Sequence, residues 1–216
     1  MLSSALYDLR YYIKNLAEAI YIYIFFVSLI AIFVFASPAG VADKLGGMAL
    51  WISLILSMLL SAPHMFQRDQ EQGLFDYWRL LPIAMEWMVL ARFIACYLIL
   101  VLPLVALVPA AGMLLNIPQN LWGEIALLIA VGSVPVLALI VMSGAMMAGL
   151  SQHAGLIGLI ILPLAIPVII FGISATNQLI ETGTTDSMPM TLLVGLSGML
   201  LPLSVVVAAS CLRSPE

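Results

Sequence analysis

Six long, largely apolar and almost uncharged runs fill most of this chain, each near the length of a helix that crosses a bilayer. They fall at about 20–36, 45–65, 92–115, 124–149, 155–175 and 190–212. A helix needs about 20 apolar residues to cross the hydrocarbon layer, and within lipid only structures that satisfy every backbone group internally persist. The pattern predicts an all-α integral membrane protein of about six transmembrane helices, with residues 1–216 forming a single transmembrane domain. Composition agrees, with 64% hydrophobic and 8% charged residues, against about 25% charged in an ordinary soluble domain. A net charge of -4 with so few basic residues argues against a nucleic-acid partner.

Basic residues choose the orientation. With an even number of spans both termini share a compartment, and Arg10, Lys14, Arg68, Arg79, Arg92 and Arg213 all fall on the side of the termini, leaving only Lys44 opposite. By the positive-inside rule that richer side is cytoplasmic, so both termini are expected inside. The other side carries Asp43, Glu124, Glu181 and Asp186, with Ser174 to Pro189 as its largest loop, either a receiving surface or a plain polar linker. A signal-peptide reading of the first run fits poorly, because Asp8 and Glu18 interrupt what should be a short basic leader. Leu2, Leu6, Leu9, Ile13 and Leu16 instead recur at helical spacing, which predicts an interfacial helix over about 3–18.

The one long connection, about 66–91, concentrates the charge: with Arg92 it holds seven of the eighteen Asp, Glu, Lys and Arg residues. As a helix it places Arg68, Gln72, Asp76 and Arg79 on one face and Leu74, Trp78 and Leu81 on another. Pro82 ends that helix. A second stretch from Ala84 through Glu86 and Trp87 to Arg92 is expected to run along the interface before turning into the third span. The charged face either docks into a groove on a partner or is simply solvated. Gly73 within it either permits close approach of a partner backbone or marks a break.

The absences are equally instructive. Nucleotide hydrolysis by a glycine-rich phosphate loop requires Gly-Lys-Ser/Thr, and neither Lys14 nor Lys44 stands in that setting. The chain is therefore expected not to be an enzyme, and energy from ATP would have to come through a partner subunit. Ion-driven carriers usually hold ionisable groups deep in their spans, whereas here the span centres read as uncharged. No metal or catalytic constellation appears, and Cys96 and Cys211 lack any ligand or disulfide spacing. His64 and His153 are the only histidines. They are the candidate cofactor-binding residues, with an ordinary interfacial role as the plainer alternative. Thirteen methionines suit flexible packing.

Two segments carry a resemblance. The first is Phe66-Gln67-Arg68-Asp69-Gln70-Glu71-Gln72-Gly73-Leu74-Phe75-Asp76-Tyr77-Trp78-Arg79-Leu80-Leu81-Pro82, and the second is Leu162-Pro163-Leu164-Ala165-Ile166-Pro167-Val168-Ile169-Ile170-Phe171-Gly172. In this order, on a chain of this length, they resemble the heme exporter protein B (CcmB) family of permeases. The resemblance implies a fold like ABC-2 type permeases, with an interfacial N-terminal helix and a cytoplasmic coupling helix between the second and third spans. It implies an ATP-binding partner subunit, a second membrane subunit with a tryptophan-rich heme-handling motif, and indirectly a periplasmic heme chaperone. Heme would be cargo, with no covalently bound cofactor. Phe66, Arg68, Asp69, Gly73, Asp76 and Arg79 would then be the residues that couple to the ATPase. The chain departs from the family pattern at Asp76, where glutamate is expected, and in Ser151-Gln152-His153-Ala154-Gly155, which lacks an expected basic pair.

Pro103, Pro109, Pro135, Pro163, Pro167 and Pro202 fall inside spans, as static kinks or as hinges. Pro163 and Pro167, one turn apart, are the strongest hinge candidates. Gly144 with Ala148 and Ala145 with Gly149 permit close helix contact. Two further readings stay open on these residues: an ABC-2 permease for another amphiphile, and a non-transporting scaffold that relays ATPase motion to a heme-handling neighbour.

Overall fold

Apolar side chains all around a helix leave lipid and neighbouring helices as its only suitable surroundings, and the chain is built from such helices. The computed structural model describes residues 16–38, 45–61, 83–146, 154–183 and 187–213, and every regular element among them is helical. In chain order they are α1 (Leu16–Ala36), α2 (Gly46–Ser61), α3 (Met85–Leu114), α4 (Trp122–Met146), α5 (Ala154–Thr182) and α6 (Ser187–Arg213). The six expected apolar helices are all present. By length and composition α3 to α6 suffice to cross a membrane, while α1 and α2 are apolar but shorter over their described residues. The fold is that of an all-α integral membrane protein.

The termini of the spans differ from expectation for physical reasons. α3 starts at Met85 and carries Trp87 and Arg92 within one continuous helix, so the stretch expected along the interface is already its first turns. α5 runs through Thr182, which places Asn177 and Glu181 on its last turns instead of in a loop. Backbone hydrogen bonding does not stop where hydropathy falls, and uncharged or acidic polar residues continue a helix beyond the apolar layer. Of the expected interfacial helix at 3–18, only Leu16 to Glu18 fall among the described residues, where they open α1. The expected coupling helix lies in 62–82, outside the described residues.

α4 is the central helix, buried all round from Val136 to Val141 and packed against α2, α3, α5 and α6. α1 packs on α2 and along α3. α3 is irregular: a π-helical turn spans Tyr97–Val101, and a tight turn at Leu107 precedes Val108–Leu114. Pro103 and Pro109 are the cause, since neither supplies a backbone donor. The α3, α4 hairpin is closed by Asn116 at φ 52 and by the Trp122 indole, which donates to the Ile117 carbonyl at 3.0 Å. α2 finishes, α3 begins and α6 finishes at one end of the bundle, the loop end.

Candidate functional site

Trp51 of α2 is completely buried and stands where three helices meet. Its indole Nε1 donates to Thr176 Oγ1 of α5 at 2.9 Å. The ring lies flat against Gly172 of α5, where an added Cβ would come 2.5 Å from it, and its far edge occupies the space a Cβ would need at Gly132 of α4. One turn away, Gly47 of α2 leaves room for the Asn177 side chain. The half of α5 from Gly172 to Asn177 is thus fastened to α2 and α4. Sequence reading did not single out Trp51. A tryptophan amid an apolar run looks like any lipid-facing aromatic, and its signal lies only in two glycines far away in the chain.

The half of α5 nearer the loop end is different. Pro163 and Pro167 stand there one turn apart, both on the exposed face with Leu164, Ile166 and Ile170, while Ala165 and Val168 face inward. Pro167 cannot donate to the Pro163 carbonyl, and no described side chain does so instead. At Pro103 and Pro135 the freed carbonyls are filled from neighbouring helices. Pro103 releases the carbonyl of Ile99, which accepts the Tyr23 hydroxyl of α1. Pro135 releases that of Val131, which accepts Ser197 Oγ of α6 at 3.2 Å. Tyr97 of α3 donates to the adjacent Ala130 carbonyl at 2.8 Å, as does Ser133 Oγ at 2.8 Å. Hydroxyls therefore tie α1 to α3, α3 to α4 and α4 to α6, and pin those two kinks.

At the loop end, Glu86 in the first turn of α3 meets Arg213 in the last turn of α6, whose Nη2 donates to both carboxylate oxygens at 2.8 Å. Trp87 beside it is exposed, as suits an aromatic at headgroup depth. Arg92, expected at a span boundary, is instead 2% exposed and among the largest fully buried side chains. Its long stem packs in the bundle while its charge sits two turns into α3. Beyond Arg92 the remainder of α3 carries no Asp, Glu, Lys or Arg.

Phe66, Arg68, Asp69, Gly73, Asp76 and Arg79, together with His64 and His153, lie outside the described residues. Among the described residues no group of three or more His, Cys, Asp or Glu comes together. Cys96 is buried and Cys211 half-buried, and the two are not joined in a disulfide. Met58, Met85 and Met88 are packed in the core.

A family model described as CcmB protein matches residues 1–214. Heme exporter protein B of Bradyrhizobium diazoefficiens is 31% identical over 209 residues, covering 95% of this chain and 94% of that protein. Heme exporter protein B of Pseudomonas aeruginosa is 31% identical over 193 residues, covering 88% and 86%. The protein of the same name from Paracoccus denitrificans is 30% identical over 177 residues, covering 81% and 79%. With the match running along almost its whole length, the chain belongs to the CcmB protein family.

Proposed function

We propose that this chain is the membrane permease subunit of an ABC-type complex that uses ATP hydrolysis in a partner subunit to export heme for c-type cytochrome assembly. The observation that carries the proposal is the family match over residues 1–214, joined by relatives named heme exporter protein B that align over most of both chains. The sequence supports the division of labour, since it holds no glycine-rich phosphate loop and only two lysines. The chain is a single transmembrane domain of the bacterial inner membrane, with both termini cytoplasmic, following its asymmetry of Lys and Arg. Its other partners are a second membrane subunit that handles heme through a tryptophan-rich motif and, indirectly, a periplasmic heme chaperone.

In this reading the charged face formed by Arg68, Asp69, Asp76 and Arg79, with Phe66 and Gly73, docks into the ATP-binding subunit. Closure of that subunit moves the loop end, and α5 bends at Pro163 and Pro167 because its other half is held by Trp51. His64 and His153 are the candidate heme contacts at the cytoplasmic mouth.

The test is the complete complex in liposomes, following ATP hydrolysis and heme arriving on the periplasmic acceptor. Asp76→Lys is expected to preserve hydrolysis but lower ATP-driven heme transfer about tenfold, equivalent to roughly 1.4 kcal/mol of lost coupling. Unchanged transfer in that variant would remove the docking role of the loop. No ATP-dependent heme transfer in wild type would remove heme export itself.

A further inference from the structure

We infer that the Glu86–Arg213 pair is a strut that passes movement of the charged loop into α6, making both residues positioning residues for coupling; this rests on the docking role proposed for that loop. Only Ile83 and Ala84 separate Pro82, where the loop helix is expected to end, from the first helical residue of α3. Glu86 is the second residue of that helix, so it takes up any displacement of the loop almost at once. Across the bundle, 127 residues away in the chain, the Arg213 Nη2 grips both carboxylate oxygens at 2.8 Å.

Folding does not call for this meeting. Glu86 already suits the N-terminal turn of α3, and Arg213 the C-terminal turn of α6, through the helix dipoles alone. The two side chains are 38% and 56% exposed, and a pair so exposed adds little to stability. What the pair does is fix the distance between two helix ends. α3 and α6 also pack against each other over Met85–Cys96, so the pair joins two helices already in contact. From there α6 leads inward, because Ser197 bonds to the Val131 carbonyl in the middle of α4, the most enclosed helix. Loop movement thereby has a route to the centre of the bundle besides the covalent one through α3.

The experiment uses the complete complex in liposomes with heme as the probe, and reads heme delivered per ATP hydrolysed. Four chains are compared: wild type, Glu86→Arg, Arg213→Glu and the double exchange. Each single exchange is expected to leave assembly and hydrolysis near wild type while heme per ATP falls about threefold or more, the scale of a direct pair coupling. The double exchange, which remakes the pair in reverse, is expected to restore the ratio. Glu86→Gln takes the place of Glu86→Arg if that chain fails to assemble, with the same fall expected. Single exchanges with a wild-type ratio, or a double exchange as poor as the singles, overturn the strut. Asp76→Lys in the same preparation keeps the two claims apart. If it lowers the ratio while the Glu86 and Arg213 variants do not, the strut falls and the docking role stands. If Asp76→Lys changes nothing, the docking role falls and takes the strut with it.

Discussion

Trp51 shows how much one side chain can organise inside a bundle that has little hydrophobic drive between its helices. Lipid tails are as apolar as leucine, so helices associate in the membrane through close packing and a few hydrogen bonds. Trp51 uses both, with glycines at 132 and 172 receiving its ring and Thr176 its indole N–H. Gly172→Ala sets a methyl group 2.5 Å from the ring. It is expected to cost about 1–3 kcal/mol, the range for overpacking a well-filled core, seen as a lower unfolding midpoint in detergent. In a Trp51→Phe background, where the smaller ring leaves space, the same substitution is expected to cost clearly less than in the wild type. Strict additivity of the two changes would mean that the ring and the glycine do not compete for one space. None of this was legible in the chain, since pairing a tryptophan with two distant glycines needs the register between α2, α4 and α5.

Two of the prolines within helices have their freed carbonyls filled by a hydroxyl of a neighbouring helix. Tyr23 on α1 and Ser197 on α6 supply the donors that Pro103 and Pro135 lack. Tyr23→Phe is therefore expected to destabilise by about 0.6 kcal/mol, with about 1.7 as the upper end for a hydrogen bond between membrane helices. Combined with Pro103→Ala, which returns a backbone donor to Ile99, the same change is expected to be nearly neutral. A loss in that background as large as in wild type would show that the hydroxyl serves something other than the kink. Among the described residues no side chain plays that part at the Pro163 carbonyl of α5. Pro163→Ala with Pro167→Ala adds backbone donors to the helix, so it is expected to leave unfolding unchanged or raise its midpoint while slowing ATP-driven transfer. Equal transfer in that variant would make the double proline a static bend. The six apolar runs and the two prolines one turn apart could be read from composition and spacing alone. The difference between pinned and unpinned prolines could not, because it depends on which hydroxyl of another helix stands at which depth.

At the scale of the molecule, the packing of the two shorter apolar helices, α1 and α2, bears on the number of spans. α2 has 16 described residues, about 24 Å of helix, against a hydrocarbon layer of about 30 Å. Packing argues for crossing. Tyr23 of α1 lies beside Ile99 of α3, and later turns of α1 run alongside Val108–Leu114, so α1 follows α3 to its far end. Gly46, the first residue of α2, sits against Leu115 and Ile117 in the hairpin that closes α3 onto α4. The start of α2 therefore lies at the level of a hairpin between two helices long and apolar enough to span, and a short span is accommodated by local thinning of the bilayer at modest cost. A phosphatase that is active only outside the cytoplasm, fused after Pro38, is expected to be active, and the same reporter fused after Ala84 or Arg213 inactive. If the fusion after Pro38 were inactive as well, α1 and α2 would be a re-entrant hairpin and the chain would have four spans. Both ends would still share one side, because two spans would be lost together.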